Sequence, residues 1–275
     1  SQKSRIVAVI VPTIAHSIFA ETIQAMSSVF RPAGYHLLIG HSGYSLEEEE
    51  SMVSAFLARK PDAIILTGYT HSPKTIDLIT RAEVPLVEIW NISKEPRDTV
   101  VGISNFDAAR EMTRLLIRKG YSKIGYIGGP SENNDRVEQR EAGFALALHE
   151  AGLQVPERGI VRKQLEFENG ARALTELLSQ SSGLDAVFAA SDILAIGVLI
   201  ECQNRGIRVP EQLAVVGFDD VGLASHTTPP LTTVRVPREE IGRRAAQEVL
   251  ARLSGGKDEP KTIDLGFEII ERRSA

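Results

Sequence analysis

The stretch AVVGFDDVGLASHTTPPLTTVRVP, residues 214–237, runs an apolar strand into two adjacent carboxylates, Asp219 and Asp220, ahead of a loop stiffened by Pro229 and Pro230. Acids at such a place do one of two things. They accept hydrogen bonds from a ligand hydroxyl, or they cap the turn that follows. Comparable groups stand in VPTIAHSIFAE, TGYTHSPKT, EIWNIS, GGPSENNDRVEQR and the pair Ser191-Asp192. Together these offer Phe19, Tyr69 and Trp90 as flat apolar faces, Arg136 and Arg140 as forked donors, and Asp192 and Asp219 as acceptors. Aromatic faces stack on C–H surfaces while acids bond hydroxyls, so the set suits a polyol, and the arginines add a grip for a carboxylate. His71 in the second loop either contacts ligand or stands in solvent.

Groups so scattered along the chain come together only if the intervening elements place them. The pattern that repeats is a short β-branched run, a turn, then an amphipathic helix. Strands are expected at residues 5–11, 35–39, 62–67, 85–90, 100–104, 123–128, 185–190, 213–218 and 232–236. Several of them, AIIL and LAVVGF among them, are apolar on both faces, as strands of a helix-covered parallel sheet are. Strands alternating with helices define a doubly wound α/β architecture, whose ligands bind outside the carboxyl ends of the strands.

The helices carry boundary signals. Ser45 and Glu48 have capping-box spacing ahead of a helix running to about Arg59, and the acids Glu47 to Glu50 suit the positive end of its dipole better than a metal site. Ala109, Met112, Leu115 and Leu116 form one stripe closed by Lys119-Gly120. Pro237 opens a last long helix that Gly255-Gly256 ends. These stripes are read as core.

Catalytic signatures are missing from the sequence: no G-x-S-x-G elbow, no phosphate loop with its lysine, no H-E-x-x-H and no cysteine pair. Neither a catalytic residue, a metal nor a cofactor is therefore expected. The lone Cys202 lies in an apolar helical stretch and reads as an inert thiol in a reducing compartment. With 275 residues, 43% of them hydrophobic, the chain is near the size at which one core becomes two. A net charge of −5 without a basic block makes a poor footprint for nucleic acid, and the longest aliphatic run, IVAVIV, is too short to span a membrane. No signal peptide is visible.

Eight stretches in chain order, VAVIVPTIAHSIFAETIQAM, GYHLLIGHS, KPDAIILT, ISNFDAAREMTRLLIRKGYSKIGYIGGP, FAASDILAIGVL, RVPEQLAVVGFDDV, TTPPLTTVRVPREEIGRRAAQEVL and IIERRS, resemble the effector-binding core of the LacI/GalR family of bacterial repressors. Within it, LTGYTHSPKT, SNFDAAREMT, IECQNRGIRVP and PKTIDLGF are most similar to the gluconate-utilisation repressor branch. The resemblance implies a periplasmic-binding-protein-like fold of type I: two similar doubly wound parallel-sheet lobes joined by three crossovers, with the effector in the cleft between them. One lobe would be residues 1–103 plus 236–263, the other 104–235 plus 264–275.

Carried over residue by residue, the effector positions are Phe19, Tyr69, Ser104, Arg136, Arg140, Ser191 and Asp219, with Asp220 left to serve the turn; Trp90 joins them as a residue at a cleft strand. Where many relatives place an aromatic, this chain has Leu165 with Phe167 two residues later, and either fills that wall. The implied partners are a sugar or sugar acid, a second copy of the chain, and operator DNA reached only through a helix-turn-helix headpiece that these residues do not include, Ser1 to Ser4 resembling a linker remnant. The implied place is the cytoplasm, and effector is expected to weaken operator binding. The alternatives are a periplasmic sugar-binding protein of a transporter, which shares the fold, and an enzyme on a doubly wound sheet.

Overall fold

The computed structural model describes residues 3–256 and 259–275. Ser1 and Gln2, the start of the expected linker remnant, lie outside the described residues. The strands are β1 (Ile6–Val11), β2 (His36–His41), β3 (Ala63–Thr67), β4 (Leu86–Ile89), β5 (Thr99–Gly102), β6 (Ile124–Gly128), β7 (Ile160–Arg162), β8 (Ala186–Ala189), β9 (Ala214–Val216), β10 (Thr233–Arg235), β11 (Lys261–Asp264) and β12 (Glu268–Ile270). The helices are α1 (Ser17–Phe30), α2 (Leu46–Leu57), α3 (Pro73–Ala82), α4 (Asn105–Arg118), α5 (Asp135–Glu150), α6 (Phe167–Gln180), α7 (Asp192–Asn204) and α8 (Arg238–Leu253).

The chain divides into two compact units. Unit 1 comprises Ser1–Ser104, Asn133–Asp135 and Pro237–Gly266; unit 2 comprises Asn105–Glu132, Arg136–Val236 and Phe267–Ala275. Unit 1 holds a sheet in the order β11-β5-β4-β3-β1-β2, and every neighbouring pair in it is parallel. Unit 2 holds a parallel sheet in the order β7-β6-β8-β9, together with an antiparallel pair of β10 and β12. The α/β class expected from the apolar strands is what the chain adopts: β3, β4, β6 and β8 are buried along their whole length.

Helix ends follow the local chemistry. Ser45 accepts a hydrogen bond from Glu48 N and caps α2, and Ser72 does the same for Thr75 N at α3, with Pro73 just inside. Gly120 and Gly255, both at positive φ, close α4 and α8. In unit 2, α6 and α7 meet at Gly170 and Gly197: a Cβ on Gly197 would lie 2.0 Å from Phe167 O. Only a residue without a side chain lets two backbones approach so closely.

Three strands escaped the sequence reading. β7 has three residues, β11 (KTID) is largely exposed at a sheet edge, and β12 (EII) is held by pairing with β10. None carries more than two consecutive apolar residues, so each is a strand because its neighbours pair with it. Among the described residues, no helix is long and apolar enough to cross a membrane.

Candidate functional site

Each unit gathers its share of the expected residues at the carboxyl ends of its parallel strands. In unit 1, Phe19 lies in the first turn of α1, and its ring meets that of Trp90 at 5.2 Å with a 59° tilt. Trp90 follows β4 in the left-handed region, φ +78°, its N–H bonded to Val101 O at 3.0 Å. Ser104 is buried just beyond β5, and Tyr69 is half-buried after β3.

The loop of Tyr69 is tied down on several sides. Tyr69 N and Thr70 N both donate to Asp135 Oδ2 at 3.0 Å, and Arg97 donates to Tyr69 O at 2.9 Å. The same Arg97 pairs with Glu88 at 2.6 Å. His71 is buried, with Nδ1 2.6 Å from Glu49 Oε1 and Nε2 3.1 Å from both Gly68 O and Glu88 Oε1. This corrects the reading of His71 as a ligand contact or a solvent histidine. Since both ring nitrogens face acceptors, both must carry protons, which makes the ring an imidazolium. Burial alone would lower its pKa, but the hydrogen bonds and charges of Glu49 and Glu88 outweigh it and raise the ring to about 9. The acidic run at the head of α2 therefore has structural work: Glu49 holds His71, and Glu50 accepts from Ser72 and pairs with Lys74.

In unit 2, Arg136 and Arg140 are each 8% exposed and lie four residues apart on α5, hence on one face. Arg140 Nε donates to Asn105 Oδ1 and its Nη1 to Ala190 O, both at 2.8 Å, and its guanidinium sits 3.8 Å from the centre of the Phe218 ring. That stacking and two directed bonds leave the fork one orientation. Ser191 caps α7, accepting from Ile193 N at 3.3 Å. Leu165 is half-buried beside Gly129, whereas Phe167 opens α6 with 48% of its surface exposed. Of that pair, Leu165 is the one packed into its unit.

Asp219 is 1% exposed at φ +118°, and Asp220 follows at φ +57°. Two consecutive non-glycine residues at positive φ are costly, so their surroundings must hold them. Asp219 N donates to Val234 O at 2.8 Å, and Asp220 pairs with Arg235 and Arg272, each at 2.7 Å. Burial opposes ionisation of Asp220, but Arg272 and Arg235 hold its carboxyl below the ordinary range. Asp192 completes the clamp, accepting from Val221 N at 2.8 Å and from Thr233 Oγ1 at 2.6 Å. Burial first, then the charge of Asp219, pushes the Asp192 carboxyl up to about 8. Asp192 is thus a holder of the turn that carries Asp219. Cys202 is buried, its thiol pushed up to about 11 chiefly by burial, in keeping with an inert side chain.

Sequence reasoning overlooked Asn105, Phe218, Asn91 and Asp135. Each lies next to or within a motif already singled out, but only the fold brings its partners near.

A family model described as a periplasmic binding protein-like domain matches residues 113–275. The HTH-type transcriptional regulator GntR of Escherichia coli (strain K12) is 34% identical over 266 residues, 97% of this chain and 80% of that protein. A solved LacI family transcriptional regulator from Silicibacter pomeroyi is 34% identical with a TM-score of 0.90, covering 98% of each chain. This chain belongs to the LacI/GalR family of transcriptional regulators. Its two units are the ligand-sensing core of such a repressor, and nothing in these likenesses favours a transport protein. A further solved structure, the transcriptional regulator CelR in complex with cellobiose, is 28% identical with a TM-score of 0.89, covering all of this chain and 86% of that one. Regulators of this family bind small-molecule effectors and DNA and generally act as dimers.

Proposed function

We infer that this LacI-family core senses a sugar acid of the gluconate type, and that effector binding weakens the grip of its homodimer on operator DNA in the cytoplasm. The observation that carries the reading is the pair of buried arginines, Arg136 and Arg140, on one face of α5. A neutral sugar needs hydroxyl acceptors and apolar faces, which Asp219, Ser191, Ser104, Tyr69 and the Phe19–Trp90 pair supply. It does not need two guanidinium groups, whereas a carboxylate is matched by them. In unit 2 the reading assigns an apolar contact to Leu165, packed beside Gly129, and a second, more exposed one to Phe167. The GntR likeness points to the same branch, and the cellobiose held by CelR supports a carbohydrate as the ligand class.

Arg140→Ala tests the assignment. Gluconate affinity should fall by about 2 to 4 kcal/mol, because a desolvated acid loses its charged partner. Arg140→Lys, which keeps the charge and loses the fork, should recover only part of it. Unchanged gluconate affinity in Arg140→Ala removes this arginine from the site. With a helix-turn-helix headpiece joined ahead of these residues, gluconate should loosen operator binding, by about 1 to 3 kcal/mol for linkage of this kind. Tighter binding would reverse the assigned sign.

A further inference from the structure

Asp135 opens α5, one residue before Arg136, and is 3% exposed. Its carboxylate collects three donors from two separate loops of unit 1: Tyr69 N and Thr70 N on Oδ2, and Asn91 Nδ2 on Oδ1 at 2.8 Å. Asn91 is 1% exposed and, through Oδ1, accepts the N–H of Ile92 at 3.0 Å. The orientation of that amide is dictated, since a carboxylate accepts only and Ile92 N donates only. One carboxylate thus joins the loop bearing Tyr69 to the turn bearing Trp90, and Trp90 sits at a positive φ that needs its neighbours to sustain it.

We propose that Asp135 is a positioning residue for effector binding: through Asn91 and the Tyr69 and Thr70 amides, it fixes the two aromatic side chains that the ligand meets. The proposal rests on the assignment of Tyr69 and Trp90 to the effector site. Asp135 itself touches no ligand in this scheme. The loops it joins are 44 and 65 to 66 residues away in sequence, so the lock forms only with the folded unit.

The chemistry allows an exchange test. In Asp135→Asn, an NH2 replaces one acceptor oxygen and faces either the Asn91 NH2 or the Tyr69 and Thr70 amides, donor against donor. Asn91 can turn its own amide only by losing the bond from Ile92 N. In Asn91→Asp, two carboxylates meet at hydrogen-bond distance and repel. Combined, the two changes restore these four bonds. The amide side chain then at position 135 accepts from the Tyr69 and Thr70 N–H groups through its oxygen and donates through its NH2 to the carboxylate at position 91. The other oxygen of that carboxylate accepts from Ile92 N.

Two readouts are taken on wild type, both single variants and the double variant: the gluconate dissociation constant by calorimetry, and hydrogen exchange of the Tyr69 and Thr70 amides without ligand. Each single variant should weaken gluconate by about tenfold or more and speed exchange of both amides. The double variant should return affinity to within about threefold of wild type and slow exchange again, a coupling that mere tolerance of two substitutions does not produce. Single variants that keep wild-type affinity while their amides exchange faster overturn the positioning role. A double variant no better than the singles in either readout overturns the lock. If wild type does not bind gluconate, the effector reading fails by itself, and exchange still decides the lock: loss in the singles with recovery in the double upholds it, and uniform exchange overturns it.

Discussion

Asp135 in unit 1 and Asp192 in unit 2 occupy the same kind of place and behave differently. Each is the first residue of a helix that follows a strand-end loop, each is buried, and each accepts main-chain N–H bonds from a loop that carries a proposed effector residue. Asp135 gathers two amide protons and a side-chain NH2, all of them obligate donors. Asp192 has one amide and a threonine hydroxyl, which can rotate to accept instead, and it lies close enough to Asp219 and Asp220 to feel their charge. Hence Asp192 is driven toward its neutral form, its carboxyl pushed up to about 8, burial being the largest cause. An acid at a helix start is legible in sequence, but its protonation depends on the donors and charges the fold assembles around it.

Truncation gives the largest contrast. Asp135→Ala strips the acceptor from three donors, one buried and two half-buried, and should lower unfolding free energy by about 3 kcal/mol, whereas Asp192→Ala should cost about 1 to 2 kcal/mol, since Thr233 can turn away. Denaturant titration of the two variants checks this, and equal losses would break the comparison. Next comes the charged network behind the Tyr69 loop. His71 is raised in the folded state to about 9 from about 6.5 unfolded, so its stabilisation is complete below about pH 6.5 and is lost as pH rises to about 9. His71→Gln should therefore cost on the order of 2 to 3 kcal/mol at pH 6, with the gap to wild type closing by about pH 10. A gap independent of pH would show the ring to be neutral.

Asp192→Asn sharpens the comparison from the other side. The folded carboxyl keeps its proton up to about pH 8 while the unfolded one loses it near 4, so the wild-type protein loses stability as pH rises between those values and levels off above. The asparagine variant lacks this slope: its side-chain oxygen can accept from Val221 N and its NH2 can donate to Thr233 Oγ1. Relative to wild type it should gain about 2 kcal/mol between pH 6 and pH 8 in denaturant unfolding. The smallest effect is expected at a helix start away from both clamps. Ser45→Ala removes the cap on Glu48 N and should cost about 1 kcal/mol with no change in ligand affinity.

Much of this molecule was legible in its residues, for physical reasons that can be named. Apolar runs such as AIILT are buried on both faces and so announce a parallel strand, and Ser45 and Pro73 act on amides within a few residues of themselves. Asp219 could be placed just beyond a strand because the apolar run ahead of it carries β9, although β9 itself stops at Val216 and the run goes on to Phe218. Its φ of +118° could not be read, because Asp192, Val234, Arg235 and Arg272 hold that turn from elsewhere in the chain. His71 looked like a loop residue since Glu49 and Glu88 reach it from α2 and β4. The edge strand β11 carries one isoleucine among polar residues and exists because β5 offers it a parallel partner. What escaped the sequence is therefore mostly contact-defined: polar groups whose partners are tens of residues away.

The most direct measurement is a calorimetric titration of this protein with D-gluconate, with D-glucose as the control, since the two share most hydroxyls and only the first carries a carboxylate. Trp90, the sole tryptophan, gives a fluorescence readout in parallel. Saturable gluconate binding with a dissociation constant of about micromolar order, and no heat from glucose, is the predicted result. No binding of gluconate, or equal binding of both, would contradict the sugar-acid assignment and turn the search to neutral sugars and nucleobases.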